Sequence, residues 1–226
     1  MENTENKHSI EWYQQRIDYL KEFALPERCE KLKSILEERT DYMTICTENT
    51  FHPQNASALV RNCEAFGIQN INTVEVLCKF RPNVNIVKGT DKWIDLHRHK
   101  SSTEMISSLK AQGYRIVATT PHINDTTPES FDVTKGKFAL VFGTEHAGIS
   151  EEVIESADEF IKIPMCGFVE SLNVSASAAI LLYMLSRKVR EGACSWQLDE
   201  LTKAEILYRW MLSSVKDSER ILAKRF

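Results

Sequence analysis

The chain has 226 residues, of which 42% are apolar and 27% charged, and its formal net charge is -4. These values fit one soluble globular domain of ordinary size with short extensions, and the acidic balance argues weakly against nucleic acid as a partner. The polar start MENTENKHSI is unlike a signal or transit peptide, and the longest apolar stretch, 176–185, is shorter than the roughly 20 residues a bilayer requires.

In chain order, Ile10, Tyr13, Ile17 and Leu20 recur at helical spacing and predict a helix over 9–23. Pro26 suits the first turn of a second helix to about Arg39. Tyr42–Cys46 is a short β-like run, and Gln54–Phe66 reads as a helix stopped by Gly67. Ile71–Leu77 reads as a strand, whereas 80–102 is polar and irregular. Met105–Gln112 is helical, Gly113 breaks it, and Tyr114–Thr119 and Phe138–Phe142 read as strands. Ser150 caps a short helix with Glu151 and Glu152 in its first turn. Phe160–Ile163 is a strand, Asn173–Arg190 a long helix and Asp199–Lys216 a final helix. Strand and helix alternate through the middle, which predicts an α/β domain with a mostly parallel sheet.

The six cysteines form no CxxC, and no histidine pair falls at zinc spacing, so no structural metal is expected. Without a secretory signal the thiols are expected to be reduced, in the cytoplasm. Residues 181–226 carry 9 basic and 6 acidic groups, so the C-terminal end is locally basic.

Several chemical readings fail on the residues themselves. Gly143 to Ser150 has the glycine spacing of a phosphate loop, but Ile149 stands where that loop needs lysine. No GxGxxG follows a strand, no GxSxG elbow is present, and the six histidines suggest no triad by local context. Three stretches remain. In 52–67, Asn55 lies where a strand hands over to a helix, a crevice position in an open α/β sheet, and Arg61 lies on a helix otherwise lined by Ala, Leu, Val and Phe. In 141–149, two glycines after a buried strand permit close backbone approach by a ligand, and Glu145 sits at the strand mouth. In 163–173, a strand ends in a loop that leads into a helix, past Ser171 and Asn173. Taken singly, each is also explained by a cap, a surface ion pair or a tight turn.

Together the stretches N-A-S-A-L-V-R-N-C-E-A-F-G (55–67), L-V-F-G-T-E-H-A-G-I-S (140–150) and I-P-M-C-G-F-V-E-S-L-N-V-S-A-S-A-A-I-L-L-Y (163–183) resemble, in order, the three signature motifs of the SpoU/TrmH family of SPOUT-class RNA 2′-O-ribose methyltransferases. The likeness covers about residues 40–190, and the helical ends resemble those of the tRNA (guanosine-2′-O) methyltransferase branch. The resemblance implies a helical extension over 1–40, a methyltransferase domain over 41–190 and a second helical extension over 191–226. It also implies a deep trefoil knot over about 138–186, against the usual rule, and a homodimer with each site built across the interface.

It further implies S-adenosyl-L-methionine as cofactor. The matching positions for it are Thr119, Thr120, Pro121, Phe142, Gly143, Glu145, Gly148, Ile163, Met165, Ser171 and Leu172. The family's functional residues fall on Asn55, Arg61, Glu145, Ser171 and Asn173, with the arginine supplied by the partner chain. The activity implied is 2′-O-methylation of RNA at guanosine 18 of tRNA. Another tRNA position, ribosomal RNA, or a catalytically silent RNA-binding relative are the alternatives. Arg187, Lys188 and Arg190, with Arg16, Arg28 and Arg39 on the front helices, are the expected RNA contacts.

Overall fold

A computed structural model describes residues 8–123, 125–144 and 147–226. The chain divides into two compact units, one formed by 40–196 and one by the two ends, up to 39 and from 197.

The larger unit is built on six parallel strands: β1 (Met43–Glu48), β2 (Asn70–Val74), β3 (Asp95–His99), β4 (Arg115–Thr119), β5 (Phe138–Phe142) and β6 (Glu159–Ile161), in the order β3-β2-β1-β5-β4-β6. β1 and β5 lie in the middle, and every residue of both is buried. A parallel sheet needs cover on both faces, which is why β5 reads as the unbroken apolar run FALVF. On one face, α3 (Pro53–Ala65) and α7 (Val174–Glu191) bring Leu59, Cys63, Ala178, Leu181 and Leu185 onto Ile45, Ile71, Leu140 and Phe142. On the other, α5 (Ser102–Ala111) and α6 (Glu151–Ser156) bring Met105, Ile106, Leu109 and Val153 onto Cys46, Val74, Ala139 and Val141. Burial pushes the Cys46 thiol pKa up.

β1 and β2 also bury hydroxyls and amides, and these are partnered. Thr44 Oγ1 donates to the Asn70 carbonyl (2.7 Å) and accepts from Asn72 Nδ2 (3.1 Å). Buried polar atoms are tolerated only in such arrangements.

Two expectations change here. The stretch 80–102 is ordered: it holds α4 (Val84–Val87), a 3-10 turn at Thr90–Trp93 and the edge strand β3. Its residues DLHRH show no apolar alternation, because an edge strand faces water and is fixed here by side chains. His97 Nε2 meets Asn70 Oδ1 at 2.9 Å and His99 Nε2 meets Asn72 Oδ1 at 2.8 Å. The strand expected to reach Leu77 instead ends at Val74. Asn49, at φ +45°, turns its side-chain oxygen to the amides of Val76 (3.0 Å) and Leu77 (2.8 Å), and both side chains stand exposed.

The smaller unit holds α1 (Ile10–Lys21), α2 (Pro26–Glu37), α8 (Glu200–Ser214) and α9 (Ser218–Leu222). Both ends of the chain therefore meet in one helical body, with α1 packed along α8. Ser9 and Asp199 cap α1 and α8 by accepting from the amides of Trp12 and Thr202. Tyr13, Ile17, Leu20, Leu32, Leu36, Ile206 and Trp210 are buried in it. Arg39 is 1% exposed, with its guanidinium carbon 5.3 Å from the Trp210 ring centroid. That corrects its expected place among the RNA contacts, because a guanidinium buried against an indole is not offered to a phosphate.

Among the described residues, no helix is long and apolar enough to cross a membrane.

Candidate active site

The carboxyl ends of β5, β4 and β6 lie side by side, and the loops that leave them enclose a cleft of about 470 Å³. Ligand crevices of open α/β sheets lie at this edge, and small-molecule sites run to roughly 300–1,000 Å³. The cleft is lined from β4 by Thr119, Thr120 and Pro121, from β5 by Phe142, Gly143 and Gly148, and beyond β6 by Ile163, Met165, Ser171 and Leu172. These are the positions marked in the sequence, apart from Glu145, which lies outside the described residues. His122, Lys162 and Glu170 add polar groups to the wall that the motifs did not mark, and Ile149, Val174 and Leu181 add apolar ones.

Gly143 and Gly148 have separate reasons to be glycine. The loop after β5 folds onto itself: Thr144 N donates to Gly148 O (2.8 Å) and Gly148 N to Thr144 O (3.2 Å). A Cβ on Gly143 would stand 2.1 Å from the Gly148 carbonyl carbon and 2.3 Å from Ile149 N. Gly148 adopts φ +70° with open space around it. The close approach expected of a ligand at Gly143 is thus made first by the chain's own backbone. On the β4 side, Thr119 Oγ1 donates to Val141 O (3.0 Å) and Thr120 N to Ile161 O (3.2 Å), which ties that loop to both neighbouring strands.

Asn173 is the N-cap of α7: its Oδ1 accepts from Ser175 N (2.8 Å) and Ser175 Oγ (2.6 Å). With the oxygen so engaged, Nδ2 is the atom that donates to Asn55 Oδ1, at 3.2 Å. Asn55 is 8% exposed in the first turn of α3. Asn62 Nδ2 donates to Ser175 O (2.9 Å), so the first and third motifs are joined at the start of α7.

Arg61 is exposed, and its Nη1 donates to Ile86 O at 2.9 Å. Neither Arg61 nor Asn55 is among the described residues that line the cleft of the same chain. Arg187 is exposed beside Glu191 and Tyr183, and Arg190 is half-buried on Phe66 O (3.0 Å) and over the Trp196 ring (5.0 Å). The ammonium of Lys188 is given to the carbonyls of Pro128 (3.3 Å), Glu129 (2.8 Å) and Phe131 (2.7 Å). Three acceptors match its three protons, so Lys188 clamps a loop to α7 rather than offering itself to RNA.

Motif reading also missed Glu48. This 4%-exposed carboxylate at the end of β1 accepts from Ser150 N (3.0 Å), Ser150 Oγ (2.7 Å) and Ser102 Oγ. It ties the starts of α5 and α6, and so fixes the downstream end of the 143–149 loop. An acidic residue closing a central strand was the available signal.

Residues 42–183 match the model of the SpoU rRNA Methylase family. The chain is 34% identical over 206 residues to a tRNA (guanosine(18)-2′-O)-methyltransferase of Borreliella burgdorferi, covering 91% of this chain and 94% of that protein. The crystal structure of a TrmH/SpoU tRNA modifying enzyme of A. aeolicus is similar at TM-score 0.74 and 31% identity, over 84% of this chain and 98% of that one. A SpoU methyltransferase of Streptomyces viridochromogenes, solved in complex with the cofactor AdoMet, shares the fold at TM-score 0.61 and 22% identity, over 70% and 65% of the two chains.

Proposed function

The chain belongs to the SpoU rRNA methylase family, and on that premise we propose that it methylates the ribose 2′-hydroxyl of guanosine 18 in tRNA, with S-adenosyl-L-methionine as donor. The observation that carries this reading is the meeting of three motif loops around one cleft, closed at Gly143 and anchored by the Asn173–Asn55 bond. The residues fit that donor: three loops converge on the cleft, with apolar walls at Ile149, Leu172 and Leu181, and Glu170 as a carboxylate for a cation.

When bound, the donor would supply a methyl group on a sulfonium; the ribose oxygen would take the methyl and give its proton up to water, and the donor would leave as a neutral thioether. The protein holds the donor with the loops after β4, β5 and β6, including Thr119, Thr120, Pro121, Phe142, Gly143, Glu145, Gly148, Ile163, Met165, Ser171 and Leu172. Asn55, Ser171 and Asn173 shape the ribose-phosphate side, where the Asn55–Asn173 bond makes one wall of two helix ends. Arg61 stabilises charge as it develops on the ribose oxygen. A guanidinium is a poor base but a strong, planar donor.

Arg61 acts in the site of a partner subunit, so the working form is a homodimer. Its exposure and its place outside the cleft of its own chain support this. So do the exposed apolar side chains of Phe168, Val169 and Tyr183. The segment 138–186 is threaded as a deep trefoil knot. Parallel pairing of β6 with β4, and of Thr126 with Ile161, supports that path. Arg16, Arg28, Arg187 and Arg190 contact the RNA, and the enzyme works in the cytoplasm.

The test is incubation with methyl-labelled donor and total RNA. Label enters tRNA and is recovered as 2′-O-methylguanosine; label recovered in ribosomal RNA instead would replace this substrate with another.

A further inference from the structure

The helical unit carries a column of planar groups, of which the proposed function uses only Arg16, as an RNA contact. The His8 imidazole lies on the Trp12 indole, with centroids 3.6 Å apart and planes 8° from parallel. The Arg16 guanidinium carbon lies 3.6 Å from the centroid of the same indole. Two planar groups that close to one ring cannot share a face, so His8 and Arg16 cover opposite faces. Arg16 in turn lies 4.2 Å from the Phe226 ring centroid. Trp12 and Arg16 are one turn apart on one face of α1, with His8 just before the helix, and the buried side of α1 is a different set, Tyr13, Ile17 and Leu20.

Among the described residues, the column is open at its ends. His8 is exposed and Phe226 is 51% exposed. Tyr208 meets the Trp12 ring edge-on, at 5.4 Å and 79°, and so leaves its faces to the stack. Arg16 Nη1 donates to Trp12 O at 3.1 Å, which fixes the guanidinium between its two rings. Arg225 lies 4.5 Å over Tyr19, which meets Phe226 edge-on at 6.1 Å. Guanidinium groups thus stand at the phenyl end of the column.

A helical core needs apolar contact, not parallel flat rings with an imidazole at the solvent end. Stacked aromatic and guanidinium planes are how proteins hold unpaired bases, and every base has a π-face to offer. Recognition of this kind also suits a chain of net charge -4, which has no excess of cations to spread over a phosphate backbone.

We propose that the His8–Trp12–Arg16–Phe226 column docks an unpaired nucleobase of the RNA substrate, which stacks on the open face of His8. This rests on the RNA substrate proposed above. The experiment compares wild type, His8→Ala and Phe226→Ala by filter binding. The probes are an unmodified tRNA transcript and a fully paired RNA duplex of equal length. His8 precedes α1 and lies outside the buried core, so its truncation leaves the fold intact. For His8→Ala we expect tRNA binding to weaken by about fivefold or more, the share of one stacked base. Duplex binding changes less than twofold, and the loss in turnover falls on KM for tRNA rather than on kcat.

Unchanged tRNA affinity in His8→Ala overturns the proposal, and so does a parallel loss of tRNA and duplex. Binding is read without turnover, so the two readings fail separately. A wild-type protein that methylates no RNA defeats the proposed function, and one that methylates tRNA while His8→Ala binds normally defeats only the column.

Discussion

Asn173 uses one carboxamide for two purposes: its oxygen caps α7 at Ser175, and its nitrogen reaches Asn55 in the first turn of α3. The beginnings of two helices, 118 residues apart in sequence, are thereby held in one register beside the cleft. A hydrophobic helix opening on polar residues is accounted for by both the cap and the bridge.

The two uses separate by substitution. Asn173→Ala removes both and should cost roughly 0.5–2 kcal/mol, as helix caps do. Asn173→Asp keeps an acceptor for Ser175 N but has no amide N–H for Asn55. Urea unfolding should therefore find Asn173→Asp close to wild type and Asn173→Ala weakened, while methyl transfer falls in both. Full activity in Asn173→Asp would remove the bridge from the mechanism.

Gly143→Ala should damage the site without unfolding the protein. Its Cβ would lie 2.1 Å from the Gly148 carbonyl carbon, so the loop must open. We expect calorimetry to show donor affinity reduced by at least about tenfold, since a displaced loop loses several contacts at once. Gly113→Ala is the control. Gly113 has φ +82° and nothing within 4 Å, so only backbone strain of about 1 kcal/mol follows, with donor affinity intact.

Arg61→Ala should abolish turnover and leave donor binding within a few-fold, because the residue lies outside the cleft of its own chain. Arg61→Lys should rescue only partly, since an ammonium lacks the planar fork. Single-turnover rates and a donor titration on the same preparations check both statements. Wild-type rates in Arg61→Ala would end the assignment.

Stability should fall as pH drops through the histidine range. Burial, the larger influence, lowers the His99 pKa below its ordinary value of 6.5, and the positive influence of His97 acts the same way, against Glu104. The folded state then resists a proton that the unfolded chain accepts. The associated stability is complete above 6.5 and is lost as pH falls from there through the folded pKa. Urea midpoints from pH 8 to 5 should decline in wild type and decline less in His99→Gln. Identical pH profiles would show that the edge-strand imidazole carries none of the effect.

A strand whose own residues are all apolar is legible in sequence. Phe138–Phe142 has the limits its sequence predicts, and the long helix predicted over 173–190 spans Val174–Glu191. β3 is not legible, because DLHRH is held by Asn70 and Asn72, distant partners that its own pattern does not encode. Arg39 was misplaced for the same reason: residue type alone puts an arginine on the surface, and its aromatic neighbour Trp210 lies at the other end of the chain. In the site, the cleft residues were reached through motif likeness. Glu48 escaped because only the fold brings Ser102 and Ser150 to its carboxylate.

Two tRNA transcripts that differ at one atom, the 2′-oxygen of guanosine 18, test the assignment. With methyl-labelled S-adenosyl-L-methionine, the ribose transcript should take up close to one methyl group per tRNA, and the 2′-deoxyguanosine transcript none. Equal labelling of both transcripts would contradict the claim.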